Sequence, residues 1–199
     1  MSSARQPPIP VVSCPDASRI ALVSDTHGRL DVRVAEVVAS CDCAVHAGDI
    51  GAASVLATLR PLVKTLVAVL GNNDVEGKLG AEDWALLRTL PLETGIELRG
   101  GMLVVVHGHR AGPASRRHAW LRNRYASARA VVYGHSHRLD CDRMLTPWVL
   151  NPGSAGLSRT FGGPSCLVLA TGGGRWTVET VRFPPPAMAA SPRKGVPRR

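Results

Sequence analysis

An α/β fold with a mixed sheet is predicted by three features of this 199-residue chain. Between residues 19 and 71, short apolar runs alternate with amphipathic segments at the spacing of βαβ units, which require parallel strands. Over residues 95–108 two apolar runs flank Arg99-Gly100-Gly101, the pattern of a hairpin, which adds an antiparallel pair. Five of the apolar runs also end in polar clusters rich in Asp, Asn, His and Gly. In open α/β sheets, ligand sites gather beyond the carboxyl ends of the strands.

The elements follow in order. RIALVS (19–24) reads as a short buried strand. In residues 31–40, Val34, Val37 and Val38 recur at helical spacing. CAVHAG (43–48) is the next strand, AASVLATLRP (52–61) a helix stopped near Pro61, and KTLVAVLG (64–71) a third strand. Residues 80–90 are helical up to Pro91, and the hairpin follows. Residues 114–129 form an arginine-studded helix or irregular arm. AVVYGH (130–135), PWVLNPGS (147–154), PSCLVLAT (164–171) and RWTVETVRF (175–183) are further strands between Gly-rich turns.

With 45% hydrophobic residues the chain suits one globular domain with a sizeable core, placed at 19–183. Residues 1–18, rich in Pro and Ser, are expected to be a flexible lead. Residues 184–199, with five prolines and a basic end, are expected to be a disordered tail. There is no run of 18 uncharged apolar residues and no signal-like start, so the expectation is a cytoplasmic protein with no membrane partner. The five cysteines, an odd number without zinc-site spacing, read as reduced thiols. The formal charge of +9 favours anionic ligands, nucleotide or nucleic acid among them. Two Tyr and two Phe are too few for an aromatic stacking platform. Arg110, Arg116, Arg117, Arg122 and Arg124 form either a rim that steers an anion or a solvated helix face. Trp84 and Trp120 read as packing residues, His46 as a satisfied structural histidine and His118 as part of a solvated face.

The strand ends carry the chemistry. They are Asp25-Thr26-His27-Gly28, Gly48-Asp49, Gly71-Asn72-Asn73-Asp74, His107-Gly108-His109 and Gly134-His135-Ser136-His137. Each is weak alone, because Asp, Asn and Gly are ordinary turn residues. Together they mix carboxylate, imidazole and amide oxygen without a thiolate set, which suits Mn²⁺, Fe²⁺, Ni²⁺ or Zn²⁺ in a two-metal centre.

This combination resembles the signature of the calcineurin-like metallophosphoesterases over roughly residues 19–181. The compact length, His107-Gly108-His109 and Asn151-Pro152-Gly153-Ser154 are similar to the small prokaryotic phosphodiesterase branch, which includes the retromer-subunit-like proteins. The resemblance implies a four-layer α/β/β/α sandwich with two mixed β-sheets. It implies that Asp25, His27 and His137 hold one metal and Asn72, His107 and His135 the other. Asp49 would bridge the two ions, manganese by preference, and a water or hydroxide between them would attack a small anionic phosphate ester, a diester by preference. Many members carry Gly-Asn-His-Glu where this chain has Gly-Asn-Asn-Asp, and Asn73 cannot act as an acid. That favours good leaving groups or another acid. His109 is the candidate for substrate contact or proton transfer, and Asp74 for orienting a ligand from behind. A phosphomonoesterase and a protein-binding scaffold with little catalysis are the alternatives; the complete ligand set favours the enzyme.

Overall fold

The structure is a computed structural model, and it describes residues 9–185. Among these residues the strands are β1 (Val11–Ser13), β2 (Arg19–Val23), β3 (Cys43–His46), β4 (Thr65–Ala68), β5 (Glu93–Leu98), β6 (Gly101–Val106), β7 (Ala130–Val132), β8 (Leu139–Asp142), β9 (Trp148–Pro152), β10 (Ser165–Ala170) and β11 (Thr177–Arg182). The helices are α1 (Val32–Ala39), α2 (Ala53–Leu59), α3 (Ala81–Leu87) and α4 (Ala114–Arg124). α1 starts at Asp31, whose carboxylate accepts from the Arg33 backbone N–H and caps the helix.

The strands form two mixed sheets, β11-β10-β2-β3-β4 and β1-β5-β6-β7-β9-β8. β2, β3 and β4 are parallel, as are β6, β7 and β9; the β5–β6 hairpin is antiparallel. The sheets pack face to face. Ile20, Leu22, Val45 and Val67 of the first meet Ile96, Leu103, Val105 and Val132 of the second. The alternate residues Ala21, Val23 and Ala44 turn outward against Val34 and Val38 of α1 and Val55 and Leu59 of α2. On the far side, Val104, Val106 and Val131 pack against Leu121 and Tyr125, on and just beyond α4. The layers are therefore α/β/β/α. Strands covered on both faces have no polar side, which is why they read as continuous apolar runs rather than alternating ones.

The sequence reading is corrected in several places. The expected flexible lead contains β1, paired in parallel with β5, and Cys14 beyond it is buried. Residues 1–8 of that lead lie outside the described residues, as does most of the expected tail (186–199). β8 was not expected at all; its Leu-Asp-Cys-Asp sequence lacks the apolar run of a buried strand, yet it pairs antiparallel with β9. Residues 114–129 resolve as helix α4 followed by a turn. All five cysteines are unpaired thiols. Among the described residues no helix is long and apolar enough to cross a membrane.

Candidate metal centre

The loops after β2, β3, β4, β6 and β7 meet at one end of the two sheets. Backbone bonds tie them together before any side chain acts. The Asp25 N–H donates to the Gly48 carbonyl at 3.0 Å, and the His27 N–H to the Asp49 carbonyl at 3.0 Å. Asn151 donates from Nδ2 to the Gly134 carbonyl at 2.9 Å, and the Ser154 hydroxyl donates to the Asp25 carbonyl at 2.8 Å. The Asn151–Ser154 turn thus braces the loops from behind.

This convergence strains the chain. The non-glycine residues with positive φ among the described residues are Asp25 (54°), His27 (46°), Asp49 (55°), His135 (66°), His137 (55°) and Arg159 (54°). Such a backbone costs on the order of 1–3 kcal/mol per residue and is found mainly where function requires it. Here each instance is at or beside an expected ligand. The loops also approach too closely for side chains at several glycines, Gly71 and Gly134 among them. A Cβ on Gly71 would lie 2.1 Å from Asp49 Oδ1, and one on Gly134 would lie 2.7 Å from Asp25 Oδ2.

The expected ligands come together. One atom each from Asp25, His27, Asp49 and His137 lie within 4.8 Å of one another, a cluster that could hold a metal ion. His27 Nε2 and His137 Nε2 are 3.2 Å apart, and His137 Nε2 is 3.2 Å from Asp25 Oδ1. Imidazole nitrogens and carboxylate oxygens facing a common point fit a borderline cation better than they fit one another. A second, looser group adjoins it. His107 Nε2 lies 3.1 Å from Asn72 Oδ1, and the His135 ring stands 5.3 Å from the His107 ring. Asp49 lies between the groups, with Oδ1 3.3 Å from His107 Nε2 and Oδ2 3.7 Å from His27 Nε2.

The electrostatics favour ligation at Asp49, His27 and His135 and oppose it at His107. Burial alone would raise the Asp49 pKa, but the His107 hydrogen bond and charge and two bonds from Asn73 hold it well below the usual carboxylate range. Burial lowers His107, yet the Asp49 hydrogen bond and the Asp25 and Asp49 charges raise it overall. His27 is lowered by burial first and by Arg159 and His137, against the opposing charge of Asp49. His135 is lowered by burial, then by His107 and Arg117. Neutral imidazoles are the form that binds metal.

Two further expected residues adjoin the cluster. Asp74 is not among the clustered ligand atoms. Its carboxylate accepts from the backbone N–H groups of Ile50 at 3.0 Å, Gly51 at 2.9 Å and Gly71 at 2.8 Å, so it holds the β3 and β4 loops in register. His109 lies beside the centre, 5.5 Å ring to ring from His107, and its Nδ1 is buried without a hydrogen-bond partner. Burial, with the charges of His107 and Arg110, pushes its pKa down to about 4, so at neutral pH it has no imidazolium proton to give.

Other residues take parts the sequence did not signal. Asn73 donates from its backbone N–H to Asp49 Oδ1 at 2.8 Å and from Nδ2 to Oδ2 at 2.6 Å, fixing that carboxylate. Arg159 reaches His27 Nε2 with Nη2 at 2.8 Å, and its carbonyl lies 3.2 Å from His137 Nδ1. It sits in an irregular Gly-rich loop, where no strand end marks it. His46 is buried with Nε2 2.9 Å from Thr26 Oγ1, but its Nδ1 has no partner, so it is only half satisfied. His118 is not on a solvated face; its ring lies 3.0 Å from both Asp142 Oδ2 and the Tyr133 hydroxyl. Among the arginines, Arg122 pairs with Asp142 at 2.8 Å, Arg124 with Glu93 at 3.0 Å, and Arg117 is buried; Arg110 and Arg116 are exposed.

Residues 19–174 match the family model of the calcineurin-like phosphoesterase superfamily domain. The chain belongs to this superfamily. A probable metallophosphoesterase of Bacillus subtilis, YsnB, is 27% identical over 168 residues, spanning 82% of this chain and 89% of the relative. Among solved structures, an archaeal phosphodiesterase superposes with a TM-score of 0.60 at 22% identity, covering 82% of this chain and 99% of the other. Vps29 from Entamoeba histolytica, in a zinc complex, superposes with a TM-score of 0.61 at 18% identity, covering 82% and 98%. At these identities the two structures support the fold alone. The superfamily and the cluster of ligand atoms together support a metal-dependent hydrolase.

Proposed function

We propose that this chain is a dinuclear-metal-dependent phosphoesterase acting on small anionic phosphate esters, with phosphodiesters preferred and Mn²⁺ the favoured ion. The observation that carries this reading is the position of Asp49, which turns one carboxylate oxygen toward His107 and the other toward His27. A carboxylate so placed is suited to serve two ions at once. Asp25, His27 and His137 would complete the first site, and Asn72, His107 and His135 the second. When bound, two divalent ions lower the pKa of a water molecule and offset charge on a phosphoryl group.

The chain's own groups do the rest. Asn73 keeps both Asp49 oxygens oriented. Asp74 fixes the loops that carry Asp49 and Asn72. Arg159 places a cation at the edge of the centre, where it can pair with a phosphoryl oxygen. With Asn73 in place of a histidine and His109 held neutral, neither of these two residues protonates the departing alcohol. Esters with good leaving groups are therefore favoured.

The scaffold reading rests on the likeness to Vps29, which is a likeness of fold. The full set of donor residues supports hydrolysis instead. The test is to strip the protein with chelator, restore Mn²⁺, Ni²⁺, Zn²⁺ and Mg²⁺ singly, and assay bis(p-nitrophenyl) phosphate beside p-nitrophenyl phosphate. Faster diester turnover with a restored ion supports the proposal; faster monoester turnover makes the chain a phosphomonoesterase. No turnover with any ion, despite stoichiometric metal binding, supports the scaffold.

A further inference from the structure

Helix α4 begins without the groups that usually close a helix. Its N-cap is Pro113, which has no side-chain acceptor, and no acidic residue stands in its first turn. The N–H groups of Ala114 and Ser115 open the helix, where no intrahelical carbonyl can receive them. Arg116 and Arg117 follow at once, although cations are unfavourable at the positive end of a helix. Positive charge is thus added to a terminus that is already positive.

Arg117 makes the imbalance acute, because it is only 9% exposed. Its Nε has no hydrogen-bond partner among the described residues, and its Nη2 donates to the Gly112 carbonyl at a long 3.4 Å. The guanidinium also faces the Tyr133 ring, 5.9 Å from its centre. Arg122 and Arg124, further along the same helix, pair with Asp142 and Glu93. Among the described residues no carboxylate forms an ion pair with Arg117. A buried cation without a counter-ion is strongly unfavourable, so this place calls for an anion.

There is room for one. A cavity of about 270 Å³ is lined by Ala114, Ser115, Arg117, Tyr133, Ser136 and Arg138, with His118 and Asp140 at its edge. Asp140 is drawn to His118, 3.5 Å away, and His118 also meets Asp142. Arg138 is an exposed second cation, 4.6 Å from the centre of the Phe161 ring. No expected metal ligand lines this cavity, but Ser136 stands between His135 and His137, so it borders the loop that carries them. Helix N–H groups, hydroxyls and a guanidinium on one cavity suit a tetrahedral oxyanion, which has several acceptor oxygens, better than a planar carboxylate.

We infer that the start of α4 and Arg117 form an anion site, separate from the metal centre, that binds a phosphoryl-type tetrahedral oxyanion. The site does not depend on the phosphoesterase reading. A free phosphate ion and a second phosphoryl group on a molecule held at the metal centre present the same chemistry to it.

The test titrates inorganic phosphate by calorimetry into full-length, metal-stripped protein, with the chelator dialysed away so that no metal ion draws phosphate. Arg117→Gln is expected to weaken binding by about tenfold or more, since a charge-assisted pair is lost. Arg117→Lys is expected to restore only part of it, because an ammonium lacks the planar fork of donors. Phosphate is expected to raise the Tm of the wild type and not that of Arg117→Gln. Ser115→Glu guards against a folding artefact: a carboxylate in the first turn favours the helix, so this variant is expected to keep or raise Tm while losing phosphate.

The source of the oxyanion is read in Mn²⁺-restored protein from propanediol bisphosphate against propyl phosphate. Tighter binding of the bisphosphate, lost in Arg117→Gln, assigns the site to a second phosphoryl group on a metal-centre ligand. Equal binding of the two, with inorganic phosphate still dependent on Arg117, assigns it to the free ion. Either result upholds the site, and either can stand in a protein that hydrolyses nothing. Phosphate binding that survives Arg117→Gln and Ser115→Glu but is lost in Arg159→Gln would place the ion at the metal centre and overturn the inference. Absence of phosphate binding together with no Arg117-dependent preference for the bisphosphate would overturn it as well.

Discussion

Asp49 is strained, buried and fixed by Asn73 on both oxygens, and it faces imidazoles on either side. Asp49→Asn keeps the shape and removes the charge. It is expected to lower hydrolysis by roughly a hundredfold or more, a loss at least as large as those seen when groups supporting a metal ligand are removed. Asp74 acts at one remove, through three backbone N–H groups. Asp74→Asn is expected to lower metal affinity by roughly 10–100-fold and to lower Tm as well, because a buried acceptor is replaced by a donor facing donors. A drop in activity with unchanged Tm and metal affinity would place Asp74 at the substrate instead.

His46 gives a pH signature at the same scale. Burial pushes its pKa down to about 4, against the opposing charges of Asp74 and Asp25. The unfolded chain takes up this proton near pH 6.5, while the folded chain resists until about pH 4. In that window the unfolded state binds more protons, so stability is full above pH 6.5 and falls as the pH drops toward 4. His46→Gln in metal-stripped protein is expected to flatten this fall, measured by urea unfolding between pH 7 and 4. An unchanged pH slope would show that other groups set it.

At the scale of elements, the strands that build the inter-sheet core were legible because burial on both faces leaves them uniformly apolar. β2, β3 and β4 could be read directly, and so could the β5–β6 hairpin with its glycines. β8 could not, because Leu139–Asp142 lies at a sheet edge and carries two aspartates, one of which ties down Arg122 and His118. β1 is short and follows Pro10, so nothing in its composition marks a strand. The residues of the candidate metal centre were legible for a different reason: they follow directly on readable strands. Arg159 follows no strand, and its approach to His27 exists only in three dimensions. The roles of Asn73 and Asp74 were open for the same reason, since a turn residue and a brace look alike in sequence. Leu22→Ala tests the core that holds these loops. It is fully buried between the sheets, and its truncation is expected to cost about 2–5 kcal/mol in urea unfolding. A loss below about 1 kcal/mol would mean the two sheets are not packed as described.

For the whole molecule, the charge of +9 is less available than it looks. Arg122 and Arg124 are committed to Asp142 and Glu93, and Arg117 is buried on α4; the cations held beside the centre include Arg159, on His27, and Lys78, whose Nζ donates to Asn73 Oδ1 at 2.8 Å. Chemistry at the centre therefore should not depend on the basic end of the chain. Removal of residues 186–199 is expected to leave hydrolysis of a small diester unchanged within about twofold, because the donor cluster lies wholly within residues 25–137 and exposed charges are screened beyond about 8–10 Å. A collapse in rate would give that segment a direct part in the site.

In the proposed function Asp49 joins two metal sites into one hydrolytic centre. Its most direct test is to titrate Mn²⁺ into metal-stripped wild type and Asp49→Asn while counting bound ions and following bis(p-nitrophenyl) phosphate hydrolysis in the same samples. Two ions are expected per wild-type chain, with hydrolysis appearing as the second binds. In the variant at least one ion is expected to be lost together with the hydrolysis. Full hydrolysis by Asp49→Asn, or by stripped wild type with no ion bound, would contradict it.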